Sequence, residues 1–220
     1  MKAIIIVAIA DVHGRLPKDM PECDLLLIAG DISPKQCKNY ESVNSWLAKR
    51  FKPWLAGVPA KHVVGVAGNH DFIFRDHKEL VPRNLRWHYL QDSGIELEGV
   101  KIWGTPWSRR YQGWAFEGDE EELAQRYAMI PEGTDIILSH CPPRGIGDIC
   151  LGYPDGGMIG SQALLERVCQ VKAKLVIFGH AHTAQHGAIE IVPGVTGYNV
   201  ACAGETNIPL YPPTVIELII

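Results

Sequence analysis

A mixed α/β architecture, either one mixed sheet or a two-sheet sandwich covered by helices, is the expectation for these 220 residues. Two patterns lead there. Short runs rich in Ile, Val and Leu alternate with stretches of helical character, and three strand-like runs then follow one another at the end of the chain. Such an order implies sheets packed against helices.

The first run, Ala3 to Ala10, is continuous and apolar, as a strand buried on both faces should be. Lys2 before it and Ala-Ile-Ala at its end imitate a cleaved leader. The segment is nevertheless shorter than the ~15–30 residues of a secretory signal and far below the ~20 of a membrane helix. Leu25 to Ala29, His62 to Ala67, Asp135 to Leu138 and Leu175 to Phe178 read as further buried strands. Asn39 to Leu55 is helical in pattern, with Pro53 expected to end or kink it. Asp119 to Met129 opens on acidic residues that suit a helix N-terminus. Ser161 is placed to cap a helix over Ser161 to Cys169. Gly94 to Trp103 alternates around Gly99, which predicts a hairpin. Ala188 to Val192, Tyr198 to Cys202 and Val215 to Ile220 are the closing strands.

Neither a linker nor an internal repeat interrupts the chain, so one domain over residues 1–220 is expected. Hydrophobic residues make up 46 %, enough for a sizeable core. The net charge of -4 is dispersed, with no basic tract to grip a nucleic-acid backbone. The six cysteines form no C-x-x-C pair, so free thiols in a reducing cytoplasm are expected, with Cys141 beside His140 the one to watch. No membrane association is expected, and the oligomeric state is left open.

The chemistry lies in the turns at the strand ends. The five buried runs stop at Asp11-Val-His13-Gly14, Gly30-Asp31, Gly68-Asn69-His70-Asp71, Ser139-His140-Cys141 and Gly179-His180-Ala-His182. Ligands gather beyond the carboxyl ends of strands in α/β sheets, so five strands ending on one rim would bring these side chains together. Carboxylates, imidazoles and one amide, without thiolate, suit Mn, Fe or Zn. Asp11 and His13 lie two apart, as do His180 and His182, so on an extended segment each pair points the same way. Asp11, His13, Asp31, Asn69, His140, His180 and His182 exceed one ion's needs, and two ions could share them with Asp31 as the bridge. Gly30, Gly68 and Gly179 permit sharp bends at three of the turns. Each motif alone would be an ordinary turn; their joint order and placement after strands would not.

In order, D-x-H, G-D, G-N-H-D, a later H and G-H-x-H resemble the calcineurin-like metallophosphoesterase superfamily. Gly104-Thr-Pro-Trp107, Gly113-Trp-Ala-Phe116, Pro131-Glu-Gly-Thr-Asp135, His140-Cys-Pro-Pro143 and Gly145-Ile-Gly-Asp148 resemble its metallophosphoesterase-domain-containing phosphodiesterase branch. The resemblance implies a two-sheet sandwich flanked by helices, in four layers. It implies one metal held by Asp11, His13, Asp31 and His182, and another by Asp31, Asn69, His140 and His180. His70, paired with Asp71, would be the catalytic histidine. The segment Ile32-Ser-Pro-Lys35-Gln36 after Asp31 lacks the arginine of the protein-phosphatase branch, which argues against a phosphoprotein substrate.

The expected reaction is hydrolysis of a phosphodiester, cyclic nucleotides included, by a hydroxide bridging two divalent ions, with Mn2+ favoured and Fe or Zn as alternatives. A broad phosphomonoesterase, a nuclease and a non-catalytic metal-binding scaffold are the competing readings. The expected partner is a small-molecule phosphoester, a nucleotide among the candidates. Protonated His70 would assist the leaving alkoxide, with Asp71 fixing its ring. Arg109, Arg144 and Trp107 are candidate substrate contacts; Trp114 and Phe116 are alternatives for stacking a base.

Overall fold

A computed structural model describes residues 2–35, 37, 39–150, 157–204 and 211–220; Gln36 of the segment after Asp31 lies outside them. In the first sheet β1 (Ala3–Ile9), β2 (Cys23–Ala29), β3 (Ala60–Val66) and the short β4 (His88–Tyr89) run parallel, and β13 (Thr214–Ile219) closes antiparallel on β1. The second is built from β5 (Ser93–Leu97), β6 (Val100–Thr105), β9 (Ile136–Ser139), β10 (Leu175–Phe178), β11 (Gly187–Val192) and β12 (Val195–Asn199). Its spatial order is β11-β12-β10-β9-β6-β5, parallel in the middle and antiparallel at both edges. A two-residue ladder joins β7 (Ser108–Arg109) to β8 (Glu117–Gly118).

Alternation along each strand builds the layers. Ile4, Ile6, Leu25, Leu27, Val64 and Val66 meet Ile102, Ile136, Leu138 and Ile177 between the sheets. The residues between them point outward. Val7, Ile9, Leu26 and Ile28 pack under Leu47, Phe51, Leu55 and Ile73. Ile137, Val176 and Phe178 pack under Leu123, Tyr127, Leu164 and Val168. The central strands are therefore covered on both faces, which is why they read as unbroken apolar runs. The result is the four-layer sandwich, helices outside and two sheets within.

The helices are α1 (Tyr40–Trp46), α2 (Lys52–Gly57), α3 (Phe72–Asp76), α4 (Glu120–Tyr127) and α5 (Gln162–Val171). Asp119 and Ser161 cap α4 and α5, accepting from the backbone N–H groups of Glu122 and Leu164. The expected helix over Asn39 to Leu55 differs in detail. A π-helical turn at Leu47–Phe51 separates α1 from α2, and the chain stays helical beyond Pro53 to Gly57. A proline clashes with the carbonyl four residues before it; here the wider turn immediately precedes it, and Pro53 sits in the first turn of α2. The Gly94 to Trp103 hairpin turns on Glu98 and Gly99, both with positive φ. The strand expected over Tyr198 to Cys202 lies earlier, ending at Asn199, because it pairs with β11 through the turn at Gly194.

Candidate metal centre

The five chemistry-bearing turns are divided between the sheets: three follow β1, β2 and β3, and two follow β9 and β10. They converge because the sheets face each other at these ends. The amide of His180 donates to Asp11 Oδ2 at 2.8 Å, and His140 Nδ1 lies 2.8 Å from the Ala29 carbonyl oxygen. The extended geometry expected for the Asp-x-His and His-x-His pairs is not how they converge. Asp11, His13, Asp31 and His180 all have φ between 43° and 68°, in the left-handed region. Non-glycine residues held there are strained, and such strain collects at functional sites.

At two of these turns, close packing against a carboxylate leaves room only for glycine. A Cβ at Gly68 would lie 2.3 Å from Asp31 Oδ1, and one at Gly179 would lie 2.2 Å from Asp11 Oδ2. Substitution at either would push a carboxylate out of the cluster.

Donor atoms of Asp11, His13 and His182 lie within 4.8 Å of one another, as do those of Asp11, Asp31 and His140. Asp11 is thus common to both groups. Asp31 reaches both sides with different oxygens: Oδ2 is 3.8 Å from His13 Nε2, and Oδ1 is 3.7 Å from His140 Nε2. Asn69 Oδ1 is 2.7 Å from His140 Nε2, and the His180 ring stacks edge-on to His140 with centroids 5.0 Å apart.

This donor set fits a cation. His13 Nε2 and His182 Nε2 face each other at 3.3 Å, while His13 Nδ1 is buried with no partner among the described residues. The Ala29 carbonyl makes Nδ1 of His140 the donor. That leaves the Nε2 lone pair facing the oxygens of Asn69 and Asp31, an acceptor cluster that a positive ion reconciles. Burial holds His13 neutral, pushed down to about 2, and takes His180 well below the usual range. Neutral imidazole is the form that binds metal. Burial also raises Asp31, against the pull of His140, so its charge lacks full compensation in the fold. Burial would raise Asp11 too, but His182, His140 and His13 together hold it below the carboxylate range. His182 is raised in return: Asp11 outweighs the burial that opposes its protonation.

His70 borders this cluster. Its amide donates to Asp31 Oδ1 at 2.8 Å, its Nε2 is 4.0 Å from Asp31 Oδ2, and its ring meets Trp114 at 4.8 Å. Burial, then Lys35 and His140, push it down to about 4, so the resting imidazole is neutral near pH 7 rather than protonated. Asp71 does not orient that ring through a hydrogen bond. Its fully buried carboxylate accepts from the backbone N–H groups of Gly68, Ser33 and Ile32, tying the loop after β2 to the loop after β3.

The expected substrate contacts are rearranged. Trp107 donates through Nε1 to Asp92 at 2.7 Å and lies beneath the Arg126 guanidinium, so it packs rather than presents a face. Arg109 donates to the Met158 carbonyl and faces Glu120 at 3.4 Å. Arg144 is half-buried on the loop after β9. Phe116 is buried in the core, which leaves Trp114 as the aromatic at the site. Cys141 is buried, its thiol pushed up to about 12, and is therefore unreactive. Two residues went unread in the sequence. Asn199 is fully buried, donates to the Ala181 carbonyl and accepts from Ala201, bracing the His180–His182 turn. Lys35 places a charge that Asp31 and Asp11 feel. Neither belongs to a motif, and only the folded contacts single them out.

Residues 4–184 match the calcineurin-like phosphoesterase family. The chain belongs to that family. Metallophosphoesterase domain-containing protein 1 of Homo sapiens is 30 % identical over 96 % of this chain and 70 % of its own length. A UPF0046 protein of Caenorhabditis elegans is 30 % identical over 82 % of this chain and 69 % of its own. The phosphopantetheinyl hydrolase of Mycobacterium tuberculosis has a similar fold, with a TM-score of 0.55 at 14 % identity, covering 92 % of this chain and 90 % of that one. As a calcineurin-like phosphoesterase, the chain is a metal-dependent phosphoester hydrolase of a family that uses two metal ions. No helix among its described residues is long and apolar enough to cross a membrane.

Proposed function

We propose that this calcineurin-like phosphoesterase hydrolyses phosphodiesters, with cyclic nucleotides among its candidate substrates, using Asp11, His13, Asp31 and His182 for one ion and Asp31, Asn69, His140 and His180 for the other. The observation carrying this reading is the buried meeting of Asp11 and Asp31 with imidazoles from both sheets. Two divalent ions held there, Mn2+ favoured, would offset the phosphoryl charge and acidify a water. The ligand chemistry favours Mn, Fe or Zn over softer ions.

Asp31 suits the shared position because its two oxygens point to opposite sides of the cluster. His70 stands beside Asp31 with its ring partly open to solvent, where an imidazole N–H can donate to the leaving oxygen. A bound phosphoester anion would raise its affinity for a proton from the resting value near 4. Trp114 covers the ring and limits water on that side. A diester carries one negative charge and a monoester up to two. Lys35 is the one lysine or arginine among the described residues lining the adjoining cavity, which favours the less charged substrate. The cysteines form no disulfide among the described residues, which supports the reading of a reducing cytoplasm.

Bis-p-nitrophenyl phosphate and p-nitrophenyl phosphate, assayed with Mn2+ and with chelator, test the reading. Diester turnover that chelator abolishes and His70→Ala lowers by about 10²–10⁴-fold is expected. Monoester turnover without diester turnover would reverse the substrate assignment, and no metal-dependent turnover would favour the scaffold.

A further inference from the structure

Next to the metal ligands, on the side of His70, lies a cavity of about 550 Å³. That volume is in the range of small-molecule sites. Its walls come from three separate elements: the loop after β2 supplies Lys35, α1 supplies Tyr40 and Val43, and the start of α3 supplies Phe72 and Ile73. The helical walls are held in place by their own contacts. The Tyr40 hydroxyl donates to Asp76 at 2.7 Å, and its ring meets that of His77 at 4.4 Å. Phe72 lies under the Arg75 guanidinium, and Ile73 is buried in the helix-side core. A cavity with an apolar helical wall therefore opens where His70 borders the cluster.

Resting on the phosphodiesterase reading, we propose that this cavity is the leaving-group pocket. It accepts a flat, apolar alcohol component, an aryl or a nucleoside group, while Lys35 at its mouth holds the phosphoryl charge. Three observations support it. His70 belongs both to the rim of the metal cluster and to the cavity lining, so an ester oxygen beside His70 carries its substituent into the chamber. Pro34, Tyr40, Val43, Phe72 and Ile73 give the cavity an apolar wall that suits a flat apolar group. Lys35 lines the same cavity and lies near enough for Asp31 and Asp11 to oppose the burial that lowers its proton affinity. The step balances: a diester monoanion and water give a monoester monoanion and an alcohol. The water oxygen joins phosphorus, the bond from phosphorus to the leaving oxygen breaks, and one water proton ends on that oxygen.

Titration calorimetry with the Mn2+-loaded protein tests the pocket without relying on turnover, using inorganic phosphate, phenyl phosphate and adenosine monophosphate as probes. The wild type should bind the two organic phosphates at least about tenfold more tightly than inorganic phosphate. Val43→Trp fills the chamber and should weaken phenyl phosphate and adenosine monophosphate by about tenfold while weakening inorganic phosphate by less than about twofold. Phe72→Ala removes a wall instead of adding bulk and should show the same selectivity, which keeps the test intact if Val43→Trp does not fold. Lys35→Met should weaken all three probes by about tenfold. Selective loss with one organic probe only would identify that group as the occupant. Equal affinities in the wild type, or wall variants that weaken every probe alike, would overturn the pocket. Selective binding without any diester turnover would instead overturn the phosphodiesterase reading and leave the pocket standing.

Discussion

Two buried aspartates with opposite tasks set the chemistry of single residues here. Asp31 is raised by burial, so its charge is poorly compensated in the metal-free fold and is useful when a cation arrives. Asp31→Asn keeps an acceptor for the His70 amide and removes the uncompensated charge. The metal-free variant should therefore be as stable as the wild type or more so, while bound Mn2+, read by elemental analysis after desalting, falls from two equivalents toward one or none. Undiminished metal content would remove Asp31 from the shared position. Asp71 is raised as well, by burial and then by Asp31, yet both its oxygens accept backbone N–H groups. Asp71→Asn would turn an amide N–H toward those donors. It should cost about 2–3 kcal/mol in urea unfolding, the worth of lost hydrogen bonds to a charged acceptor. A smaller loss of stability would mean that other contacts hold the two loops together.

Loops at the level of whole elements are braced by side chains from their neighbours. Ser161 caps α5 and donates to Glu120 in the first turn of α4, joining the two helices on the outer face of the second sheet. Ser161→Ala should lower stability by about 1 kcal/mol with metal affinity unchanged. Asn199 at the end of β12 should behave the opposite way. Asn199→Ala frees the Ala181 carbonyl, and metal affinity by calorimetry should fall by about tenfold, as for other supports of a ligand loop. The same contrast separates the legible elements from the illegible ones. The central strands were legible in the sequence because both faces are covered, and α4 and α5 because Asp119 and Ser161 announce their starts. The donor types after the strands were legible as chemistry. Their backbone was not: left-handed φ at Asp11 and His13 replaces the extended geometry, because tertiary contacts there outweigh local preference. Two-residue strands such as β7 and β8 carry no period to detect. Trp107 turned to Asp92 and Arg109 to Met158 because those partners lie 15 and 49 residues away, distances at which no local pattern speaks.

Over the whole molecule, the centre joins two sheets, so its ions should stabilise the fold and do so in a pH-dependent way. A ligand at a hundredfold its dissociation constant adds about 2.7 kcal/mol to the folded state. The metal-free protein supplies the baseline. His13 at about 2 and His70 at about 4 stay neutral in the fold, whereas histidines of the unfolded chain take protons near ~6.5. The unfolded state then binds more protons, so this contribution is full above ~6.5 and is lost as pH falls toward the folded values. Asp31 and Asp71, both raised, have the reverse sign: acidification through their raised values relieves buried charge. His182, also raised, stabilises below ~6.5 and loses that contribution as pH rises through its folded value. Metal loading changes the balance because cations compete with protons for the His182 imidazole and the buried carboxylates. The difference in melting temperature between Mn2+-loaded and chelated protein should therefore grow from pH 5.5 to 7.5, whatever the slope of either form alone. Calorimetric titrations in buffers of different ionisation enthalpy should show protons released on binding at the acidic end of that range. A melting difference that stays flat with pH, or binding without proton release there, would mean that the ions are held by groups other than this buried set.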